Sequence, residues 1–491
     1  MRFDTMPAKR WTGRTWVAFA YEGDKTPLGI AGDEGRAAMA TAASERFEAK
    51  PKQVALLRRN DEKLILVGLG RRKAAGAEAV RVAAAKGLRR AEEIGATELG
   101  VALPAAKEVK GELGDFAGAA VEGFVLAGYR FLKWRTPGPD DPKPVDSVTF
   151  AATDSAGLGA RVKKAIAAAE AKAGAVNFVR DLVNEPPSPK APEVMGKLAL
   201  ELAVKGRIVV EVLHRAELEK LGCGGILRVG AGSHQPPCLV RLTYTPKGKS
   251  KKTAVIIGKG ITFDSGGLSI KPATGMEYMK DDMAGAGAVL GLFKWLASAE
   301  LPVTVHGFAA FAENMPGGGA QKPGDVIRHH NGKTAEVIST DAEGRHLLAD
   351  CLALGSELKP DVMIDMATLT GACVVALGDE YSALLGTDQP TIDRLVKLGP
   401  AEGEYFWQLP LVARYRSHLK SHVADFKHTG KPGVGGTITA GLFLKEFVAD
   451  GVPWVHIDIA GPSFTKEGWD YISPGASGVP LRTLIEYLRG L

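Results

Sequence analysis

The chain has 491 residues, 45% hydrophobic and 24% charged, an ordinary globular balance and enough chain for two to four domains with large cores. Lys and Arg exceed Asp and Glu by 62 − 56 = 6, and the basic residues are dispersed, the densest runs being 247–252 and 71–73, which argues against a nucleic-acid partner. Four cysteines without a CxxC pair are too few for a disulfide framework, no run approaches the roughly 18 apolar residues of a membrane span, and the N-terminus lacks the apolar core of a secretory signal, so a cytoplasmic protein is expected.

Residues 1–158 read as a smaller N-terminal α/β domain. QVALLRR (53–59) and KLILVGLG (63–70) read as strands, an Ala/Arg/Lys-rich helix follows from about 74 to 94, and ELGVALP (98–104) and SVTFAAT (147–153) read as further strands. Gly68-Leu69-Gly70 lacks the third glycine of a dinucleotide fingerprint and reads as a tight turn. TPGPDDPKPVD (136–146) is expected to be a surface loop. The Ala, Lys and Glu content of 159–183 predicts a linker helix, ended by the prolines of NEPPSPKAPEV (184–194).

Residues 184–491 read as the catalytic domain. RIVVEVLH (207–214), CLVRLTY (238–244), TAVIIGKG (253–260), VTVHGFAAF (303–311), DVMIDMAT (361–368) and WVHIDIAG (454–461) are its expected strands. Several are near-continuous apolar runs, the mark of strands buried on both faces. The expected fold class is α/β: a smaller N-terminal α/β domain joined by a long helix to a larger C-terminal α/β domain, whose mixed, mostly parallel sheet is covered by helices.

The residues with chemical potential follow these runs, where ligands bind in open α/β sheets. In GKGITFDSGG (258–267), Lys259 and Asp264 sit among glycines that let backbone approach a ligand; taken alone, this is equally a glycine-rich loop with solvated charges. Asp281 and Asp282 precede a small-residue helix, where acids also serve simply to satisfy the helix dipole. Asp341 and Glu343 are two apart, so in extended chain both point the same way. Asp264, Asp282, Asp341 and Glu343, four carboxylates buried together, are very costly unless a cation neutralises them. As an all-carboxylate set without a Cys or His among them, they point to a two-metal site rather than a single zinc, and so to hydrolysis of an amide, ester or phosphate.

STDAEGR (339–345) resembles the NTDAEGR signature of the leucyl (cytosol) aminopeptidase family, a set of two-zinc exopeptidases. GKGITFDSGGLSIKP (258–272), MKDDMAGAGAVLG (279–291), ENMPGGGAQKPGDV (313–326), ATLTGA (367–372), GGTITAGLFLKEFV (435–448) and HIDIAG (456–461) are similar to further blocks of that family, in family order, and RDLVNEPP (180–187) resembles the opening of its catalytic domain. The resemblance covers about 180–491; the N-terminal domain is similar only in general pattern.

The resemblance implies a metal-dependent aminopeptidase that releases N-terminal residues, Leu or another apolar one preferred, from peptides by means of a water bridging two divalent ions, Zn²⁺ or Mn²⁺. It assigns Lys259, Asp264, Asp282 and Glu343 to a tighter metal site and Asp264, Asp341 and Glu343 to a more exchangeable one. Lys271 would polarise the scissile carbonyl, and Arg345 would hold a bicarbonate ion as general base. Met279, Thr368, Gly371 and Ala460 correspond to the pocket for the first side chain, and Leu369 to main-chain contacts with substrate. A homohexamer is implied as well. Ser339, Asp281, His346 and the glycines at 317–319 depart from the family pattern without removing a ligand, and His330, His346, His418 and His422 are not taken as ligands. Another two-metal hydrolase, such as an esterase or phosphatase, a DNA-binding relative and an inactive structural hexamer are the competing readings.

Overall fold

The computed structural model describes residues 1–491 apart from 110, 137, 139–142 and 153–158. Part of the loop expected over 136–146, the last residue of the strand expected over 147–153 and the domain boundary expected at 158 lie outside the described residues. The chain divides into two compact units, Met1–Asn177 with Glu467–Pro474, and Phe178–Lys466 with Gly475–Leu491. The helix expected over 159–183 runs Ala160–Asn184, its residues through Asn177 belonging to the first unit and the rest to the second. The excursion Glu467–Pro474 falls with the first unit rather than with the C-terminal sequence around it. There Tyr471 donates to Glu78 at 2.9 Å and Ser473 to the Tyr129 carbonyl at 3.2 Å.

In the first unit, β1 (Arg2–Pro7), β2 (Thr15–Ala20), β3 (Val54–Arg59), β4 (Glu62–Gly68), β5 (Glu98–Leu103) and β6 (Ser147–Ala152) form a sheet in the order β1-β6-β5-β2-β4-β3. All its pairings are parallel except β3 on β4. Helices α1 (Gly32–Ser44), α2 (Ala77–Glu93), α3 (Leu113–Ala127) and α4 (Ala160–Asn184) accompany it. Arg81 of α2 and Lys172 of α4 both meet Glu122 of α3, at 2.8 and 2.7 Å, so a buried carboxylate is compensated where three helices converge.

The second unit contains β7 (Ile208–Leu213), β8 (Cys238–Tyr244), β9 (Lys252–Asp264), β10 (Val303–Asn314), β11 (Val326–Arg328), β12 (Thr334–Glu336), β13 (Val362–Ala367), β14 (Tyr381–Gly386), β15 (Tyr405–Gln408), β16 (Phe426–Lys427) and β17 (Trp454–Asp458). Its helices are α5 (Pro192–Leu200), α6 (Arg215–Leu221), α7 (Gly224–Val229), α8 (Ala284–Leu296), α9 (Gly344–Glu357), α10 (Gly371–Leu377), α11 (Gln389–Glu402), α12 (Gly436–Lys445) and α13 (Leu481–Arg489). The main sheet runs β15-β14-β17-β13-β9-β10-β8-β7. Its centre, β17-β13-β9-β10, is parallel, while β14, β8 and β7 join antiparallel. This is the mixed sheet the apolar runs predict. The carboxyl ends of the four parallel strands deliver Asp458, Thr368, Asp264 and Asn314 to one edge.

Candidate metal centre

Lys259 lies within β9 and Asp264 ends it. Five residues apart, they would face opposite sides of a regular strand. Between Ile261 and Asp264, however, β9 advances three residues while β10 advances two, from Ala312 to Asn314. The extra residue is a bulge, and it restores both side chains to one side. Asp282 follows the 3₁₀ segment Met276–Asp281 and precedes α8. It does not cap that helix: its Oδ1 instead accepts the Thr368 hydroxyl at 2.7 Å and meets Lys259 Nζ at 2.7 Å.

Lys259 Nζ also meets Glu343 Oε1 at 2.9 Å and donates to the Thr368 carbonyl at 2.9 Å. Lys271 Nζ meets Asp264 Oδ2 at 2.9 Å and Asp341 Oδ1 at 2.6 Å. One oxygen each from Asp264, Asp341 and Glu343 lies within 4.8 Å of the others. Asp341 and Glu343 converge through a turn, not through the extended chain that their spacing suggests: Asp341 is in the turn and Glu343, at φ −71° and ψ −38°, is the N-cap of α9. Two glycines leave room for the cluster. A Cβ on Gly344 would stand 2.7 Å from Lys259 Nζ, and Gly266, at φ +86°, would place one 2.9 Å from Asp341 Oδ1.

Burial raises the pKa of Asp264 to about 6 and holds Asp282 well above the usual carboxylate range. Burial raises Asp341 too. Burial also works on Glu343, but Lys259 and Lys271 outweigh it and lower that carboxyl. For Lys259, burial opposes the charge, and Asp282 and Glu343 overcome it, so the ammonium form is held. Burial is thus the main cost of gathering these carboxylates, and the two ammonium groups offset it only in part. Asp282 Oδ2 and Glu343 Oε2 are buried without a hydrogen-bond partner. Orphaned acceptor oxygens on adjacent carboxylates fit a divalent cation better than they fit a closed ion-pair network. The chemistry, not the volume, marks the place: a cleft of about 690 Å³ in the same unit, lined by His330, Lys333, Glu357 and Glu446 among others, contains none of these groups.

Arg345 is buried, and burial lowers its pKa to about 10, so it stays charged at neutral pH. Its Nη1 donates to the His428 carbonyl at 2.8 Å, while its Nε has no partner. Burial, then the Arg345 charge, hold His428 down at about 4, so this ring is neutral.

Thr368 and Leu369 follow β13, and Ala460 follows β17, its parallel neighbour. Asp458, not singled out from sequence, orders them. Its Oδ1 accepts the N–H groups of Leu369 and Ala460 at 3.2 Å each, and its Oδ2 accepts the Thr370 hydroxyl at 2.6 Å. The Leu369 N–H is thus engaged within the protein. Thr368, Leu369, Ala460 and Met279 are half-buried and Gly371, at the start of α10, is exposed. Asn314 is the second residue passed over: Nδ2 donates to Asp264 Oδ1 at 2.7 Å and to the Thr340 carbonyl at 3.0 Å, clamping two parts of the cluster. The signal for both lay in the blocks that carry them, ENMPGGGA and HIDIAG.

Among the departures, Gly317 packs against the Gly232 carbonyl, leaving no room for a Cβ. Asp281 has its pKa raised to about 6 by burial. His330 bonds the Leu221 carbonyl and Glu357, a structural role.

Comparison with known proteins identifies the family. Residues 177–485 match the model of the cytosol aminopeptidase family catalytic domain, and 17–138 that of its N-terminal domain. A probable cytosol aminopeptidase of Aquifex aeolicus is 39% identical over 486 residues, 98% of this chain and 96% of that protein. One of Rhodococcus opacus is 43% identical over 437 residues, 88% and 83% of the two chains. Among solved structures, the bottromycin maturation enzyme BotP in complex with Mn is similar with a TM-score of 0.85 at 37% identity, covering 97% of this chain and 99% of that one. A mutant of tomato leucine aminopeptidase is similar with a TM-score of 0.87 at 30% identity, covering 100% and 96%.

Proposed function

The chain belongs to the cytosol aminopeptidase family, metal-dependent hydrolases that remove N-terminal residues, and from that premise we propose how its residues divide the work. The observation that carries the reading is the carboxylate quartet with two orphaned buried oxygens at the carboxyl ends of parallel strands. Asp264, Asp282, Glu343 and Lys259 hold one divalent ion; Asp264, Asp341 and Glu343 hold a second. The ions are Zn²⁺ or Mn²⁺, and when bound they supply carbonyl polarisation and a water acidified to serve near neutral pH.

Lys259 changes state in this scheme. Its ammonium now occupies the ground between Asp282 and Glu343, and a ligand lysine must be a neutral amine, so loading the site releases a proton. Lys271 keeps its proton. Once Asp264 and Asp341 are otherwise engaged, its donors turn to the scissile carbonyl oxygen and the negative charge that grows there. Arg345, with its unpartnered Nε, would hold bicarbonate, which would supply a general base for the attacking water.

The substrate is a peptide with a free amine placed on the Asp282 side. Its first side chain, Leu or another apolar one, enters the opening formed by Met279, Thr368, Gly371 and Ala460, and Leu369 meets its main chain. Met279 is adaptable and Ala460 leaves space. The protein works as a cytoplasmic homohexamer. The four cysteines, all free thiols, suit a reducing compartment.

The test is to strip the protein with chelator, restore Mn²⁺ or Zn²⁺, and compare leucine anilide with its N-acetyl form and with a phosphate ester. Metal-restored cleavage of the free-amine substrate alone is expected. Equal cleavage of the acetylated substrate refutes the exopeptidase assignment, and cleavage of the phosphate ester alone refutes the peptidase one.

A further inference from the structure

We propose that His428 is a positioning residue that fixes Arg345 and the loop leading to Asp341 in one geometry, held flat by a stack of two further histidines. This rests on the reading of the metal centre given above. Strand β12 pairs with β16 and ends at Glu336; β16 ends at Lys427, and His428 follows at once. The His428 N–H donates to the Glu336 carbonyl at 3.1 Å, extending the pairing by one residue. Its ring then spans the turn that leads to Asp341. Nδ1 receives the Ile338 N–H at 3.1 Å and also lies 3.0 Å from the Glu336 carbonyl, and Nε2 lies 2.9 Å from the Ser339 carbonyl. A neutral ring with its proton on Nε2 donates to Ser339 and accepts from Ile338, leaving Nδ1 beside the Glu336 carbonyl, which takes its proton from the His428 N–H instead. The carbonyl of the same residue accepts Arg345 Nη1. One residue thus joins the arginine to the backbone two residues before Asp341.

The ring plane is fixed from one side. His346 stacks on His428 with centroids 4.7 Å apart and 22° between planes; His329 stacks on His346 at 5.2 Å and 13°. His329 Nδ1 lies 3.1 Å from Asp350 Oδ1, and His346 Nδ1 lies 3.2 Å from His329 Nε2. Starting from the carboxylate, and with both rings neutral, these contacts set one proton order. His329 donates to Asp350 through Nδ1, and its Nε2 accepts from His346 Nδ1–H. His346 Nε2 is left as a lone pair, and it is the ring nitrogen without a partner. All three rings are buried, and Phe443 packs edge-on against each of them. His346, which departs from the family pattern as a sequence feature, has a place here: it is the flat surface on which His428 rests.

The experiment titrates chelator-stripped protein with Mn²⁺ in a calorimeter and measures kcat and KM on leucine anilide. Outer groups that orient a metal site typically contribute about 10–100-fold to affinity or activity. His428→Ala is expected to lose about that much in Mn²⁺ affinity and in kcat, with KM little changed. His428→Gln, whose amide offers one acceptor and one donor, recovers most of both. His346→Leu, which leaves the hydrogen bonds of His428 intact, shows a smaller loss in the same two quantities and carries the test if His428→Ala does not fold. Unchanged Mn²⁺ affinity and kcat in the folded variants, even with a lowered Tm, overturn the proposal. So does a loss that Gln does not recover. Wild-type protein that binds no Mn²⁺ refutes the reading of the centre instead, which keeps the two failures apart.

Discussion

At the scale of single residues, the two lysines of the centre have the same charge and opposite fates. Lys259 touches Asp282 and Glu343, whose outer oxygens have no partner; Lys271 touches Asp264 and Asp341. If Lys259 becomes a neutral ligand, Lys259→Ala behaves like Asp282→Ala, losing bound metal and turnover together. Lys271→Ala removes a cation that competes for two carboxylates, so metal content holds while kcat falls about 10²–10³-fold, the usual effect of one lost oxyanion contact. Metal analysis of the purified variants beside their kcat values decides it; Lys259→Ala with full metal content moves that residue into the class of Lys271. Gly344→Ala is a sharper probe of the same spot. Its Cβ would enter the volume of the Lys259 ammonium, so the lysine or the start of α9 must shift. Loss of Mn²⁺ affinity with a near-normal Tm is the expected outcome, and unchanged affinity would mean that Lys259 has freedom the packing does not suggest.

At the scale of elements, the sequence made the strands that matter readable because they are buried on both faces. TAVIIGKG, DVMIDMAT and WVHIDIAG are apolar almost without interruption, and they became β9, β13 and β17. Strands β1 and β15 lie at sheet edges, where RFDTMP and YFWQ need no such pattern, and neither was singled out. β2 is a different case: TWVAFA is interior and buried, but too short for its periodicity to separate strand from helix. In the centre, the carboxylates and lysines were legible as charges following buried strands. The bulge that turns Asp264 toward Lys259 was not, because it exists only in the register of β9 against β10. Asn314 and Asp458 were passed over for a related reason: their work is to hold other residues, and nothing in a lone side chain announces a partner 50 or 89 residues away. His330 illustrates an element junction with a testable pH dependence. It links the Leu221 carbonyl, at the end of α6, to Glu357, at the end of α9. Burial opposes its charge, but those two partners outweigh it and raise its pKa above 6.5. A raised histidine stabilises the fold fully below its unfolded pKa of about 6.5, and that contribution fades as pH rises through the folded value. His330→Ala should therefore lower the urea midpoint more at pH 5.5 than at pH 8.5; an equal loss at both would show the ring acts by packing alone.

At the scale of the whole molecule, every residue assigned to the chemistry falls in the second unit, between Lys259 and Ala460, and the first unit supplies none of them. The proposed homohexamer, held mostly through the C-terminal half, therefore puts the surface of the second unit to use. That surface includes an exposed apolar feature. On α10, which begins with Gly371 of the first-residue opening, Val375 is 90% exposed, beside exposed Ala372, Val374 and Ala376. Burying such a helix face against a second copy of the chain is favourable by about 25 cal/mol per Å² of apolar surface removed from water, and a charge placed there would have to be desolvated. Sedimentation velocity at micromolar concentration should give a species near 311 kDa, six times the chain's 51.8 kDa. Val375→Asp should shift the distribution toward smaller species while the isolated centre still binds Mn²⁺, because the substitution adds charge on the outside of α10 and touches no proposed ligand. Monomeric wild-type protein with full turnover would refute the hexamer. A hexamer indifferent to Val375→Asp would leave the assembly standing and place its contacts on another face of the second unit.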